Sequence, residues 1–276
     1  MTVEPERLVK HTVVFDAFKA FLDYLSEIEK VYSLSMHAMK MLQGSGRLAE
    51  VLAEVKERKL DDEAKQRIEL TKKLEMDAEA EAASGFPLLT SHSVVALWSA
   101  LEETIPRLCV DWLLTYPKTL EREEFAKVRL PSKIVLIEDR SLLIEEIVFE
   151  LNRATLSSLK AGIGRFDALI GALGIQLNVS ADLRRDLFEL SKVRNVIVHQ
   201  FGKADRKFVQ ECPWLNCKAG ERLRLGPDQF QKYNIAVREY CVRIIECGRV
   251  ELTRLQNATD AKPEPDGEVE RPGQRP

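Results

Sequence analysis

Arg194, Asn195 and His199 fall within six residues of one another, in the run Arg194-Asn195-Val196-Ile197-Val198-His199. These three side-chain types suit phosphate chemistry: a guanidinium presents a planar fork of donors, an amide holds or orients a neighbour, and an imidazole moves protons near neutral pH. At roughly 100° per residue, Leu183, Leu187, Leu190, Ile197, Val198 and Phe201 are predicted to share one helical face, with Arg194 in its middle. A guanidinium placed there cannot shed its proton. Burying it without a partner costs several kcal/mol, so the fold must supply a carboxylate, a carbonyl or a bound anion. Asn195 and His199, four apart, project together from the flank of the same helix.

The elements that position these residues are helical by their spacing. Apolar residues recur at three- and four-residue steps along most of the 276-residue chain, and strand-like alternation is scarce. The reading is an all-α protein. One helix is expected from about Leu8 to Leu42, with Val14, Phe18, Phe21, Leu25 and Ile28 on its face, broken at Gly44-Ser45-Gly46. A second covers Arg47 to Glu57. A third, over Asp61 to Ala83, is so rich in Glu, Asp, Lys and Ala that it reads as an exposed connector. Gly85 and Pro87 mark the best internal boundary, which gives an N-terminal helical extension (1–85), a helical domain (86–257) and a Pro- and Glu-rich tail (258–276) with too little to bury, expected to be disordered.

Within 86–257 the strongest amphipathic run is Thr90 to Tyr116, with Val94, Trp98, Leu101, Ile105, Leu108 and Trp112 in one stripe. Pro106 should kink it. Glu102 projects at the edge of the same stripe, a second unusual charge and a candidate partner for Arg194. A helix over Ser141 to Lys160 ends before Gly162 and Gly164, and a short one over Phe166 to Ile170 closes at Gly174. Ser180 is the expected N-cap of the helix carrying Arg194, which should stop at Gly202. Trp214, Leu215, Leu223 and Leu225 are consistent with a small β-hairpin between Cys212 and Leu225, before a last long helix begun by Pro227-Asp228.

This arrangement, an Arg-Asn-x3-His run on a late helix followed by a turn and a final long helix, resembles the HEPN superfamily. Arg194-Asn-Val-Ile-Val-His199-Gln-Phe-Gly202 is similar to the family's Arg-Asn-x-x-Val-His-x-x-Gly form, and Val94-Val-Ala-Leu-Trp-Ser-Ala-Leu-Glu102 resembles its first helix. The resemblance covers residues 86 to 257. It implies a HEPN-like helical bundle and a metal-independent endoribonuclease in which two protomers bring their arginine-histidine motifs together at a homodimer cleft. It implies RNA as substrate, no cofactor, and a role among toxin-antitoxin or phage-defence systems with an antitoxin or other partner protein. Arg194, His199 and Asn195 would be the catalytic residues, with Glu102 supporting them. A ribose 2′-hydroxyl would attack the adjacent phosphate, His199 would move a proton, and Arg194 would meet the extra charge of the phosphorane. Asn195 would orient the histidine or hold the phosphate. Some relatives are catalytically silent scaffolds or partner-binding modules, the alternative reading.

Other features bound these expectations. A net charge of −3 gives no general attraction for nucleic acid, so RNA binding requires a local patch or an assembly. An odd count of five cysteines, the absence of a basic, apolar start and the lack of any uncharged apolar run of about 18 residues point to a reducing cytoplasm and no membrane span. Cys212 and Cys217 lack a second ligand pair for zinc. Cys109, Cys241 and Cys247 read as core fillers, and His11, His37 and His92 as surface or capping residues. Glu121 to Lys127 reads as a solvated face.

Overall fold

The computed structural model describes residues 5–55, 61–132, 134, 137–157 and 162–260, with side chains described throughout except at 5–14, 156–157 and 258–260. Helices dominate, and no strand occurs among the described residues. The first helix, α1 (Pro5–Met41), buries Phe18, Phe21, Leu25, Ile28 and Tyr32. That three- and four-residue spacing is what a single helical stripe requires. Their partner is α4 (Pro87–Thr115), the central helix, whose Val94, Leu97, Trp98, Leu101, Ile105, Leu108 and Trp112 are all buried. At about 1.5–3 kcal/mol per large apolar side chain removed from water, these two stripes supply a substantial share of the driving force. Tyr32 also stacks on Phe230 at 4.1 Å between ring centroids and shares a 2.9 Å hydrogen bond with Thr90.

Between them, α2 (Ser45–Val55) and α3 (Asp62–Ala83) pair with each other and bury little, Gly46 and Ala78 alone being buried in them. Their ends are held by carboxylates. Asp61 accepts from the Ala64 N–H at 2.7 Å, and Glu75 accepts from the N–H groups of Gly44 and Gly46 at 2.5 and 2.9 Å. Such caps satisfy donors that a helix start leaves open. Glu81, near the end of α3, does the same for α4, accepting from Leu88 N–H at 2.7 Å and Leu89 N–H at 3.0 Å.

The chain continues through α5 (Glu123–Ala126), α6 (Arg140–Ser157), α7 (Gly164–Ala172), α8 (Ala181–Gln200), α9 (Arg206–Glu211) and α10 (Pro227–Asp260). α4 passes through Pro106 as one helix. α10 extends to Asp260, so the first residues assigned to the tail are helical, and the expected disorder of 261–276 lies outside the described residues.

The expected hairpin between Cys212 and Leu225 is absent. Pro213, which cannot donate to a ladder, opens a 3-10 turn over Pro213–Leu215, and Asn216 reverses the chain at φ 49°. The returning segment pairs instead with the residues after α8: Lys203 and Arg222 form an isolated antiparallel bridge, and Leu223 N–H donates to Gly202 C=O at 2.8 Å.

Candidate functional site

The helix that carries Arg194 is packed on two sides, against α4 and against α10. Ser180 caps its start, accepting from Leu183 N–H at 3.2 Å. Its buried residues are Leu183, Leu187, Glu189, Leu190, Ser191, Val193 and Val196. This corrects the single-face expectation. Val198 is 42% exposed and Phe201 83% exposed, while Val193 and Val196, outside the expected stripe, are buried.

On the α4 side, Glu102 is the centre of a charged cluster. Its Oε2 accepts from Arg194 Nη2 at 2.9 Å, and its Oε1 accepts from Arg165, on α7. The side chains of Glu102, Arg194 and Arg165 are 26%, 21% and 15% exposed, so the cluster is neither a closed core nor an open surface. Two guanidinium groups on one carboxylate leave one surplus positive charge. Arg165 is further held over the Phe166 ring at 4.6 Å, a cation–π arrangement. Arg194 Nη1 donates to Asn195 Oδ1 at 3.2 Å, and Arg194 Nε is buried with no partner among the described residues.

Asn195 and His199 are both exposed, one helical turn apart, and His199 lies in the last turn of α8, where the carbonyl end of the helix favours a cation. No side-chain hydrogen bond of His199 occurs among the described residues. The structure thus brings Arg194, Asn195 and Glu102 into one bonded chain and leaves His199 free on the same flank as Asn195. Arg165 was not singled out in the sequence. Its signal would have been an arginine directly before Phe166 at a helix start, which is weak.

On the α10 side lies Glu189, 0% exposed. Its carboxylate accepts from Tyr233 OH and Lys232 Nζ, both at 2.6 Å, and from Trp214 Nε1 at 2.5 Å. Three donors offset the cost of burying the charge. Burial, together with Glu189, holds the Tyr233 hydroxyl far above its ordinary range, so it stays a donor. Cys212 is buried too and its thiol is pushed up to about 12, chiefly by burial and then by Glu189 and Glu211. All five cysteines are free, and no group of three or more His, Cys, Asp or Glu placed to hold a metal occurs among the described residues. Among the described residues no helix is long and apolar enough to cross a membrane.

Comparison of the chain with protein-family models, with curated proteins and with solved structures gives no match.

Proposed function

We propose that the chain is an RNA endonuclease of the HEPN type, acting without a metal at a site completed by a second copy of itself. The observation that supports this best is the Glu102 cluster: Arg194 is oriented by a carboxylate that Arg165 already balances, next to an exposed amide and an exposed imidazole on one helix. A donor fork fixed before the substrate arrives is what stabilises charge that develops in a transition state. In the reaction, a 2′-hydroxyl loses its proton to imidazole and its oxygen bonds to phosphorus. The bond from phosphorus to the 5′-oxygen breaks, and that oxygen takes a proton. The products are a 2′,3′-cyclic phosphate and a 5′-hydroxyl end. One cluster carries only a single surplus charge, and a two-fold contact would place a second beside it.

Incubation of the purified protein with mixed RNA in EDTA, followed by analysis of the new ends, tests this reading. Cyclic phosphate and 5′-hydroxyl ends are expected; intact RNA, or 5′-phosphate ends, would contradict it.

A second reading, a catalytically silent HEPN-type scaffold, is favoured by the apolar side chains left exposed along α1 to α3, among them Leu34, Met41, Leu48, Val55 and Met76. Exposed apolar side chains of this kind suit a protein partner. Under that reading, RNA is left intact and these side chains are covered when the partner binds.

A further inference from the structure

Phe201 follows the last residue of α8 in the left-handed region, at φ 52°, and Gly202 continues there at φ 78°. That conformation ends α8, Gly202 N–H donating to Val196 C=O at 3.0 Å, and it leaves the Phe201 ring 83% exposed. The ring stands at a groove of about 710 Å³ between the first turns of α4 and the end of α8. That volume suits a nucleotide-sized ligand. Ile197, Pro87 and Leu223 give the groove apolar surface, and Arg222 and Arg224 stand beside Leu223. The bridge from Lys203 to Arg222 fixes this arginine segment against the end of α8, and the alternation of an extended chain buries Leu223 while leaving both arginines exposed. Neither arginine has an ion-pair partner among the described residues. The one carboxylate lining the groove, Glu81, is bonded to the opening amides of α4.

We propose that this groove binds a nucleotide of single-stranded RNA, its base stacked on Phe201 and its flanking phosphates held by Arg222 and Arg224. The inference rests on the RNA-cleaving reading. An exposed ring next to unpaired arginines is the combination by which proteins hold single strands without reading sequence. His199 precedes Phe201 by two residues, about 3 Å of rise but about 200° around the helix, so Ile197 and Phe201 line the groove while His199 stands on the other side of the end of α8. In a chain of net charge −3, the groove supplies the local positive patch that RNA binding requires.

The test uses the full-length chain and a fluorescein-labelled oligouridylate of roughly ten nucleotides, 2′-O-methylated throughout so that it cannot be cleaved, with affinity read by anisotropy. The wild type should bind, and Phe201→Tyr should match it. Phe201→Ala should weaken binding by about tenfold, and Arg222→Gln and Arg224→Gln should each lower the salt dependence by about 0.7 in the log–log slope. Unchanged affinity in Phe201→Ala, unchanged salt slopes in the arginine variants, or no binding by the wild type would overturn the proposal. So would light scattering that shows Phe201→Ala splitting a dimer while leaving RNA affinity unaltered, which would make the ring a contact between copies. Cleavage in EDTA without groove binding would sink the groove alone; groove binding without cleavage would sink the nuclease reading alone.

Discussion

Arg194 Nη2 stands 2.9 Å from Glu102 Oε2, and the other oxygen of that carboxylate is taken by Arg165. The three charges form a unit in which the carboxylate is the member that cannot be spared. Loss of Arg194 leaves Glu102 paired, whereas loss of Glu102 leaves two partly buried guanidinium groups facing each other.

The stability order of single variants follows from that arrangement. Arg194→Ala should cost about 1–2 kcal/mol, since the pair is partly exposed and Arg165 remains, while Glu102→Ala should cost roughly 3 kcal/mol. Urea denaturation of both variants measures the difference. An Arg194→Ala cost equal to or above that of Glu102→Ala would show that Arg165 does not share the carboxylate.

Glu189 offers a sharper case, being fully buried with three donors. Glu189→Ala strands the Tyr233 hydroxyl, leaves Lys232 only the longer 3.6 Å pair with Asp186, and should destabilise by about 3–5 kcal/mol. Glu189→Gln keeps one acceptor and should cost less. Equal losses in the two variants would mean that the volume of the side chain matters and its oxygens do not.

Much of the fold was legible in the sequence because helical stripes are periodic. The face of Phe18, Phe21, Leu25 and Ile28 and the stripe of α4 both stand where their spacing put them. α8 was harder, because a helix packed on two sides buries an arc too wide for a single stripe, and Glu189, Val193 and Val196 lie in the part that the stripe omitted. The hairpin failed for a related reason. Leu223 and Leu225 alternate as a strand would, but which chain they pair with is decided by tertiary contact with Gly202 and Lys203. For the site, the motif and Glu102 could be named from residue type and spacing. Arg165, and the projection of Phe201 into solvent, depend on where helix ends fall in space.

Removing residues 1–85 should expose the face of α4 and α10 that α1 covers, including the partners of Phe21, Leu25 and Tyr32. The 86–276 fragment is expected to bind a dye specific for exposed apolar surface and to aggregate on concentration. A soluble, cooperatively melting fragment without dye binding would show that α1 is dispensable to the core.

Asp111 gives a pH prediction. Burial raises its carboxyl above the ordinary 3.8, with Arg107 opposing and Asp16 adding to the shift. A raised folded-state pKa means that its contribution to stability is fully present below the unfolded value and is lost as pH rises through the folded one. The ionised carboxylate is therefore a net cost at neutral pH, and Asp111→Asn should raise Tm at pH 7 but not at pH 3. A lowered Tm at pH 7 would show that attraction to Arg107 outweighs burial.

The nuclease reading is tested most directly by comparing RNA cleavage rates of the wild type and His199→Ala in EDTA. The His199 side chain is exposed and makes no hydrogen bond among the described residues, so its removal should leave folding almost unchanged. The rate should fall by about 10²- to 10⁴-fold, the ordinary worth of a positioned proton-transfer group. RNA cleaved by His199→Ala as fast as by the wild type, or by neither, would contradict the account and leave the scaffold reading in its place.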